Sequence, residues 1–205
     1  MDIAQMTDFR ITPGFSNAER TLAAELYWEA FGNKLALGLG PESKAKAFLA
    51  RVANPDFALC ARDDDGALLG IAGFKTSEGA LIGGGFADLS AIYGTFGAAW
   101  RGLLLSLLER DLQGGSLLMD GIFTTQAARG KGVGTALLRA IKQDAMARGC
   151  SEVRLDVIDT NPRARALYER EGFVAGKVQR LGPLKYLFGF SSATEMRATL
   201  QPHSR

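Results

Sequence analysis

The chain has one histidine, His203, close to its C-terminus, and two cysteines, Cys60 and Cys150. A single terminal imidazole excludes Ser-His-Asp and Cys-His catalysis and the HExxH metal helix. Two cysteines are too few for a disulfide framework or a four-cysteine zinc site. Charge of one sign is also lacking: 24 Lys and Arg stand against 22 Asp and Glu, a formal net charge of +2. A protein that holds nucleic acid through its phosphates is therefore not expected. No apolar run approaches the roughly 20 residues that span a bilayer. The most apolar stretch, Leu103-Leu104-Leu105-Ser106-Leu107-Leu108, lies between Arg101 and Glu109 and reads as a buried helix face. Met1-Asp2-Ile3-Ala4-Gln5 offers neither a basic nor an apolar leader region, so no membrane association and a cytoplasmic location are expected.

What is present is ordinary globular material: 205 residues, 47% hydrophobic and 22% charged. That length suits one domain with a sizeable core, and no repeat or low-complexity linker divides it. Phe9-Arg10-Ile11 reads as a first strand. Ser16-Asn17-Ala18-Glu19 is a capping box, opening a helix with Leu22, Leu26, Tyr27 and Ala30 at helical spacing. A second helix is expected after Pro41, burying Ala45, Phe48, Leu49 and Val52 and ended by Pro55. The apolar runs 57–61 and 67–74 flank an Asp-Gly turn and predict a hairpin. Residues 79–116 are glycine-rich: Gly83-Gly84-Gly85 breaks regular structure, and Leu89 to Leu112 reads as mostly helix with Gly94, Gly97 and Gly102 inside it.

From Ser116 onward the pattern is strand, loop, helix, strand, helix, strand, an α/β arrangement. Leu117 to Thr125 predicts a buried strand, Thr135 to Arg148 an amphipathic helix, and Val153 to Ile158 the next strand. Asn161-Pro162 suits a helix N-terminus, with Gly172 as its stop, and 173–178 and 194–200 read as final strands. Between the first strand and helix of this half lies Arg129-Gly130-Lys131-Gly132-Val133-Gly134-Thr135. Unhindered amides at a helix N-terminus form an anion cradle, and glycine lets the backbone approach a pyrophosphate. No Gly-x-x-x-x-Gly-Lys-[Ser/Thr] string exists for a P-loop, and the GxGxxG dinucleotide pattern fails because Thr135 stands where a glycine is needed. A plain glycine-rich connection beside a solvated basic helix face is the competing reading of the loop by itself.

Arg129-x-x-Gly132-x-Gly134 resembles the pyrophosphate loop of the GCN5-related N-acetyltransferases, the GNAT superfamily. A second signature is similar too: Asn161-Pro162-x-Ala164-x-Ala166-Leu167-Tyr168-x-x-x-Gly172-Phe173. The resemblance covers 117–173 well, and the preceding strand, two helices and hairpin match the family's element order. It implies a central mixed, mostly antiparallel sheet, splayed at its middle strands and flanked by helices. One domain, 1–205, would comprise an acceptor-side half (1–116), an acetyl-CoA-binding core (117–173) and C-terminal strands (174–205).

The resemblance also implies roles. Ile122, Phe123 and Thr124 would offer backbone groups to pantetheine, with the Ile122 amide aimed at the thioester carbonyl. Arg129, Gly130, Lys131, Gly132, Val133, Gly134 and Thr135 would hold the pyrophosphate. Asn161 would cap its helix and touch acetyl-CoA, and Tyr168 would bind near the sulfur and protonate the leaving thiolate. Each has a plainer reading: core strand for Ile122 and Phe123, capping alone for Asn161, an interface aromatic for Tyr168. Many members carry Val-x-Pro where this chain has Thr124-Thr125-Gln126, a change that leaves backbone roles intact.

For a base, two carboxylates compete with water alone. Regular alternation puts Asp120 on one strand face with Ile122 and Thr124, while Asp156 lies five residues before Asn161. A surface ion pair is the ordinary alternative for either. The activity implied is direct transfer of an acetyl group from acetyl-CoA, without metal, to a small-molecule or peptide amine; the alternative is a non-catalytic acyl-CoA-binding sensor or partner module. Acceptor contacts would come from Tyr27, Trp28 and Phe31, from Phe86, Tyr93 and Trp100, and from 184–190. The last segment equally suits a homodimer interface.

Overall fold

The computed structural model describes residues 9–106, 112 and 114–200. Leu107, Leu108, Glu109, His203 and the first five residues lie outside them. The strands are β1 (Arg10–Pro13), β2 (Ala58–Arg62), β3 (Leu68–Thr76), the two-residue β4 (Gly79–Ala80), β5 (Ser116–Thr124), β6 (Glu152–Ile158), β7 (Val174–Arg180) and β8 (Ser192–Thr199). The helices are α1 (Arg20–Leu39), α2 (Glu42–Val52), α3 (Phe86–Ser106), α4 (Val133–Ala147), α5 (Pro162–Arg170) and the short α6 (Lys185–Phe188).

The strands form one sheet in the order β1-β2-β3-β5-β6-β8-β7, with β4 hydrogen-bonded to β3. Among the described residues β5 and β6 are the parallel pair, and every other pairing is antiparallel. That parallel ladder is short: it joins Ser116, Leu117 and Leu118 to Glu152, Val153 and Arg154 and then stops. Beyond it β5 stays paired to β3 as far as Thr124, and β6 stays paired to β8 as far as Ile158. The sheet therefore opens at its middle, as expected.

Helix α4 buries Leu137, Leu138, Ile141 and Ala145 in the main core with Leu117, Met119, Val153 and Leu155. A second, smaller core holds Ala24, Leu39, Phe48, Leu49 and Leu89, contributed by α1, α2 and α3. The capping box forms: the Ser16 amide and hydroxyl each donate to Glu19 Oε2 at 2.8 Å. It opens a turn of 3-10 helix that runs into α1. Glu19 also accepts from Arg62 Nη2 of β2 at 3.0 Å, which ties the start of α1 to the sheet.

Several elements depart from expectation. In α1, Leu22 and Ala30 face outward while Ala23, Ala24 and Leu26 are buried, because the helix packs on two partners through small residues. Val52 is half-buried, and Leu112 is not helical. Gly94, with φ +71°, interrupts α3; only glycine enters that left-handed region readily, so two shorter helices meet there. Helix α4 starts at Val133, so Gly132 with φ +80° is its N-cap. Phe188 and Phe190 are buried, with ring centroids 6.3 Å apart, so this part of the 184–190 segment covers itself. No helix among the described residues is long and apolar enough to cross a membrane.

Candidate active site

Where β5 and β6 part, an open cavity of about 620 Å³ is lined by residues of α1, β5, the glycine loop, α4 and α5. It brings together Ile122, Phe123, Thr124, Arg129, Gly130, Gly132, Val133, Gly134, Thr135, Asn161 and Tyr168. Lys131, Asp120 and Asp156 are not among its lining residues.

The cradle follows from helix chemistry. The first amides of an α-helix have no intrahelical acceptor. Here the Ala136 N–H, donating to Gly132 O at 3.0 Å, is the first to close a turn of α4. The amides of Val133, Gly134 and Thr135 precede it, at the positive end of the helix dipole. Gly130 and Gly132 have φ of +81° and +80°, and a Cβ on either would enter open space. Arg129 and Lys131 differ: their amides already donate to Gln126 O at 3.2 Å and Ala128 O at 3.4 Å. The Arg129 guanidinium donates to Glu29 of α1 across the cavity wall. Sequence reasoning missed Glu29, Arg163 and Arg170, all of which line the cavity. The signal for the two arginines was available, since they lie on the same helix as Asn161, Ala164, Leu167 and Tyr168.

Asn161 Oδ1 accepts from the Ala164 amide at 3.1 Å, so the cap forms while the residue also lines the cavity. Tyr168 is 7% exposed, its ring 5.9 Å from that of Phe173. Burial pushes its phenol up to about 12, so it holds its proton through the neutral range. Burial likewise raises Cys60, to about 12, and Cys150; neither thiol lines the cavity.

Asp120 lies elsewhere because β5 is bulged. Gly73 pairs with Gly121 but Phe74 with Met119, so Asp120 is an extra residue. A bulge resets alternation and re-aims the side chain. The expected common face with Ile122 and Thr124 is therefore lost: those two line the first cavity, and Asp120 lines a second one of about 570 Å³. The linings share no residue, yet on β5 they come within one residue of each other, at Gly121. A Cβ there would lie 2.4 Å from Phe31 Cζ, so α1 rests directly on that backbone. Phe31, Tyr27 and Phe123 form a ring cluster with centroids 4.8–6.1 Å apart. Asp156 sits opposite Glu195 of β8 and lines neither cavity.

Of the expected acceptor aromatics, Tyr27 and Phe86 line the second cavity. Trp28 lines a separate groove, Trp100 is half exposed, and Tyr93 donates to Leu39 O beneath Arg101.

Known acetyltransferases resemble the chain in sequence over part of its length and in fold over most of it. Bovine thialysine N-epsilon-acetyltransferase is 33% identical over 60 residues, 29% of this chain and 35% of that protein. An acetyltransferase of Agrobacterium fabrum is 39% identical over 70 residues, 34% of this chain and 48% of its own length. The chain thus matches less than half the length of either. A GCN5-related N-acetyltransferase from Kribbella flavida superposes with a TM-score of 0.60 at 16% identity, over 94% of this chain and 98% of that one. A phosphinothricin acetyltransferase from Sinorhizobium meliloti, solved with acetyl-CoA, gives 0.59 at 17%, over 94% and 89%. The profile of the Acetyltransferase (GNAT) family matches residues 21–173, and the chain belongs to that family.

Proposed function

We propose that the protein transfers the acetyl group of acetyl-CoA directly to a primary amine, with residues 1–205 acting as one domain. The observation that carries this is the glycine-capped N-terminus of α4 opening onto a cavity in the gap between β5 and β6. The amides of Val133, Gly134 and Thr135 suit a pyrophosphate, and Arg163 and Arg170 on the lining add positive charge. Past Leu118 the β6 side of β5 has no strand among the described residues, which leaves backbone near Ile122, Phe123 and Thr124 for a pantetheine arm.

The reaction balances without a covalent enzyme intermediate. The deprotonated amine nitrogen attacks the thioester carbonyl carbon, the C–N bond forms, and the C–S bond breaks. An amide donor, for which Ile122 is the candidate, would stabilise charge on the carbonyl oxygen. The sulfur leaves as thiolate and takes the proton of Tyr168, which burial keeps in place until that moment. Of the two carboxylates, Asp120 is the candidate to accept the ammonium proton, because it lies beside the junction of the cavities and Asp156 does not. The raised thiols of Cys60 and Cys150 suit neither residue to an acyl-enzyme path.

Calorimetric titration with acetyl-CoA tests the reading, repeated on Gly132→Glu, followed by amine-dependent release of free thiol. Saturable binding that the variant loses, with turnover of at least one amine, supports it. Binding without turnover of any amine would instead indicate an acyl-CoA-binding module.

A further inference from the structure

Helix α3 carries a face that the rest of the fold leaves uncovered. Its inner side places Leu89 and Ala98 in the smaller core with α1 and α2. Its outer side is apolar too. Phe96, Trp100 and Leu103 stand at i, i+4 and i+7, one stripe of a helix, and are 93%, 46% and 70% exposed. Leu37 of α1, 41% exposed, joins them: Leu37, Trp100, Leu103 and Leu104 line a shallow hollow of about 330 Å³. From Leu89 to Ser106 the one charged residue is Arg101. Its guanidinium lies over the rings of Tyr93 and Trp100 and donates to Gly40 O at 3.0 Å. Other surface helices differ: α2 shows Glu42 and Lys44 to solvent, and α5 shows Arg165 and Glu169. A helix that is apolar all round is ordinarily buried, so the outer side of α3 calls for a cover.

We infer that this cover is a second copy of the chain, joined through α3 in a two-fold dimer. Two features fit the patch to itself. It pairs a projecting ring, Phe96, with a hollow one to two turns further along the same helix. A two-fold axis between them seats the Phe96 of each copy in the hollow of the other. The stripe also holds no charged side chain, so like faces meet without repulsion. Since an aromatic side chain offers about 150–250 Å², the four exposed residues present about 500 Å² per copy, and about 1,000 Å² in the pair, the lower end of specific interfaces. A membrane surface fits less well, because an interfacial helix bears Lys and Arg on its polar face and this stretch of α3 has the engaged Arg101 alone. Helical spacing puts the stripe opposite Gly102 and Leu105, which line the second cavity, so the partner would brace that wall from behind. Nothing in this depends on acetyl transfer.

Sedimentation velocity on the full chain, across roughly 1–100 µM, is the test. A monomer–dimer equilibrium with Kd at or below about 10 µM is expected for an interface of this size. Phe96→Glu and, separately, Leu103→Glu should weaken it at least about 100-fold, because a two-fold interface carries each substitution twice. Both side chains are mostly exposed in a single chain, so each variant should keep the parent's far-ultraviolet circular dichroism. Val178→Glu, at another exposed apolar position on β7, should leave the dimer intact. A parent that stays monomeric at the top of the range overturns the inference, as does a dimer that both α3 variants retain or that Val178→Glu splits. A monomer that pellets with phosphatidylcholine–phosphatidylglycerol vesicles, and loses this in Phe96→Glu, would overturn it in favour of a membrane surface. If Phe96→Glu splits the dimer while the parent fails to bind acetyl-CoA, the interface stands and the acetyl-transfer reading falls.

Discussion

Tyr168 shows how one residue's surroundings set its chemistry. Burial alone raises its phenol to about 12, so no nearby charge is needed to keep it protonated. Because the folded value is raised above 10, the proton stays bound as pH climbs through 10 and is released only near 12. A fall in kcat between pH 8 and 10 is therefore not expected to come from this group. Tyr168→Phe should lower kcat by about 10²-fold, within the usual range for a positioned general acid, with acetyl-CoA affinity within about twofold of the parent. Steady-state rates across pH 6–10 check both statements. Gly132 represents the opposite case, a residue defined by what it lacks. At φ +80° any side chain is strained, and a glutamate there also sets a negative charge at the mouth of an anion cradle. Gly132→Glu should weaken acetyl-CoA binding more than about 100-fold, measured by calorimetry.

At the level of elements, the joint between α1 and β2 rests on Glu19 and Arg62, whose side chains are 22% and 15% exposed. The Arg62 guanidinium first, helped by the Ser16 amide and hydroxyl, holds the Glu19 carboxyl down from 4.5 to about 2. A lowered carboxyl contributes stability that is present above its unfolded value and lost as pH falls through its folded one. Arg62→Met removes the larger part of that shift and leaves the Ser16 part, so it should cost about 1–2 kcal/mol at pH 7, and the difference from the parent should shrink below about 1 kcal/mol near pH 2. Urea titrations at several pH values measure this. The α1–β5 joint depends on Gly121, where a Cβ would stand 2.4 Å from Phe31 Cζ. Gly121→Ala should cost about 1–3 kcal/mol of stability, since Phe31 must shift and with it the ring cluster beside Ile122.

What the sequence made legible was local. The capping box, the hairpin, the strand from Leu117, the loop and the Asn161 cap each depend on neighbours within a few residues. The bulge at Asp120 was hidden because it arises from pairing with Gly73 and Phe74, far away in the chain. Regular alternation then predicts the wrong face. The second cavity was hidden for the same reason, as its walls run from Tyr27 to Asp120 through six elements. The opening of the sheet came from family resemblance, because no local pattern encodes where a parallel ladder stops.

Taken whole, the first cavity has a mechanical consequence. Its lining joins α1 from the early part of the chain to β5, α4 and α5 from the later part, across the place where the sheet lacks a ladder. A ligand there bridges elements that, among the described residues, no backbone ladder connects. Something that binds only the folded state stabilises it by RT ln(1 + [L]/Kd), about 2.7 kcal/mol when the ligand is at 100 times Kd. For a chain of this size each kcal/mol moves the thermal midpoint by about 2–4 °C, so saturating acetyl-CoA should raise it by about 5–10 °C. Gly132→Glu should lose that shift, while Tyr168→Phe, which keeps the cradle, should retain it. Scanning calorimetry on the three proteins, with and without acetyl-CoA, decides. If the parent's midpoint does not move, acetyl-CoA does not occupy the gap between β5 and β6, and the site must serve a different ligand.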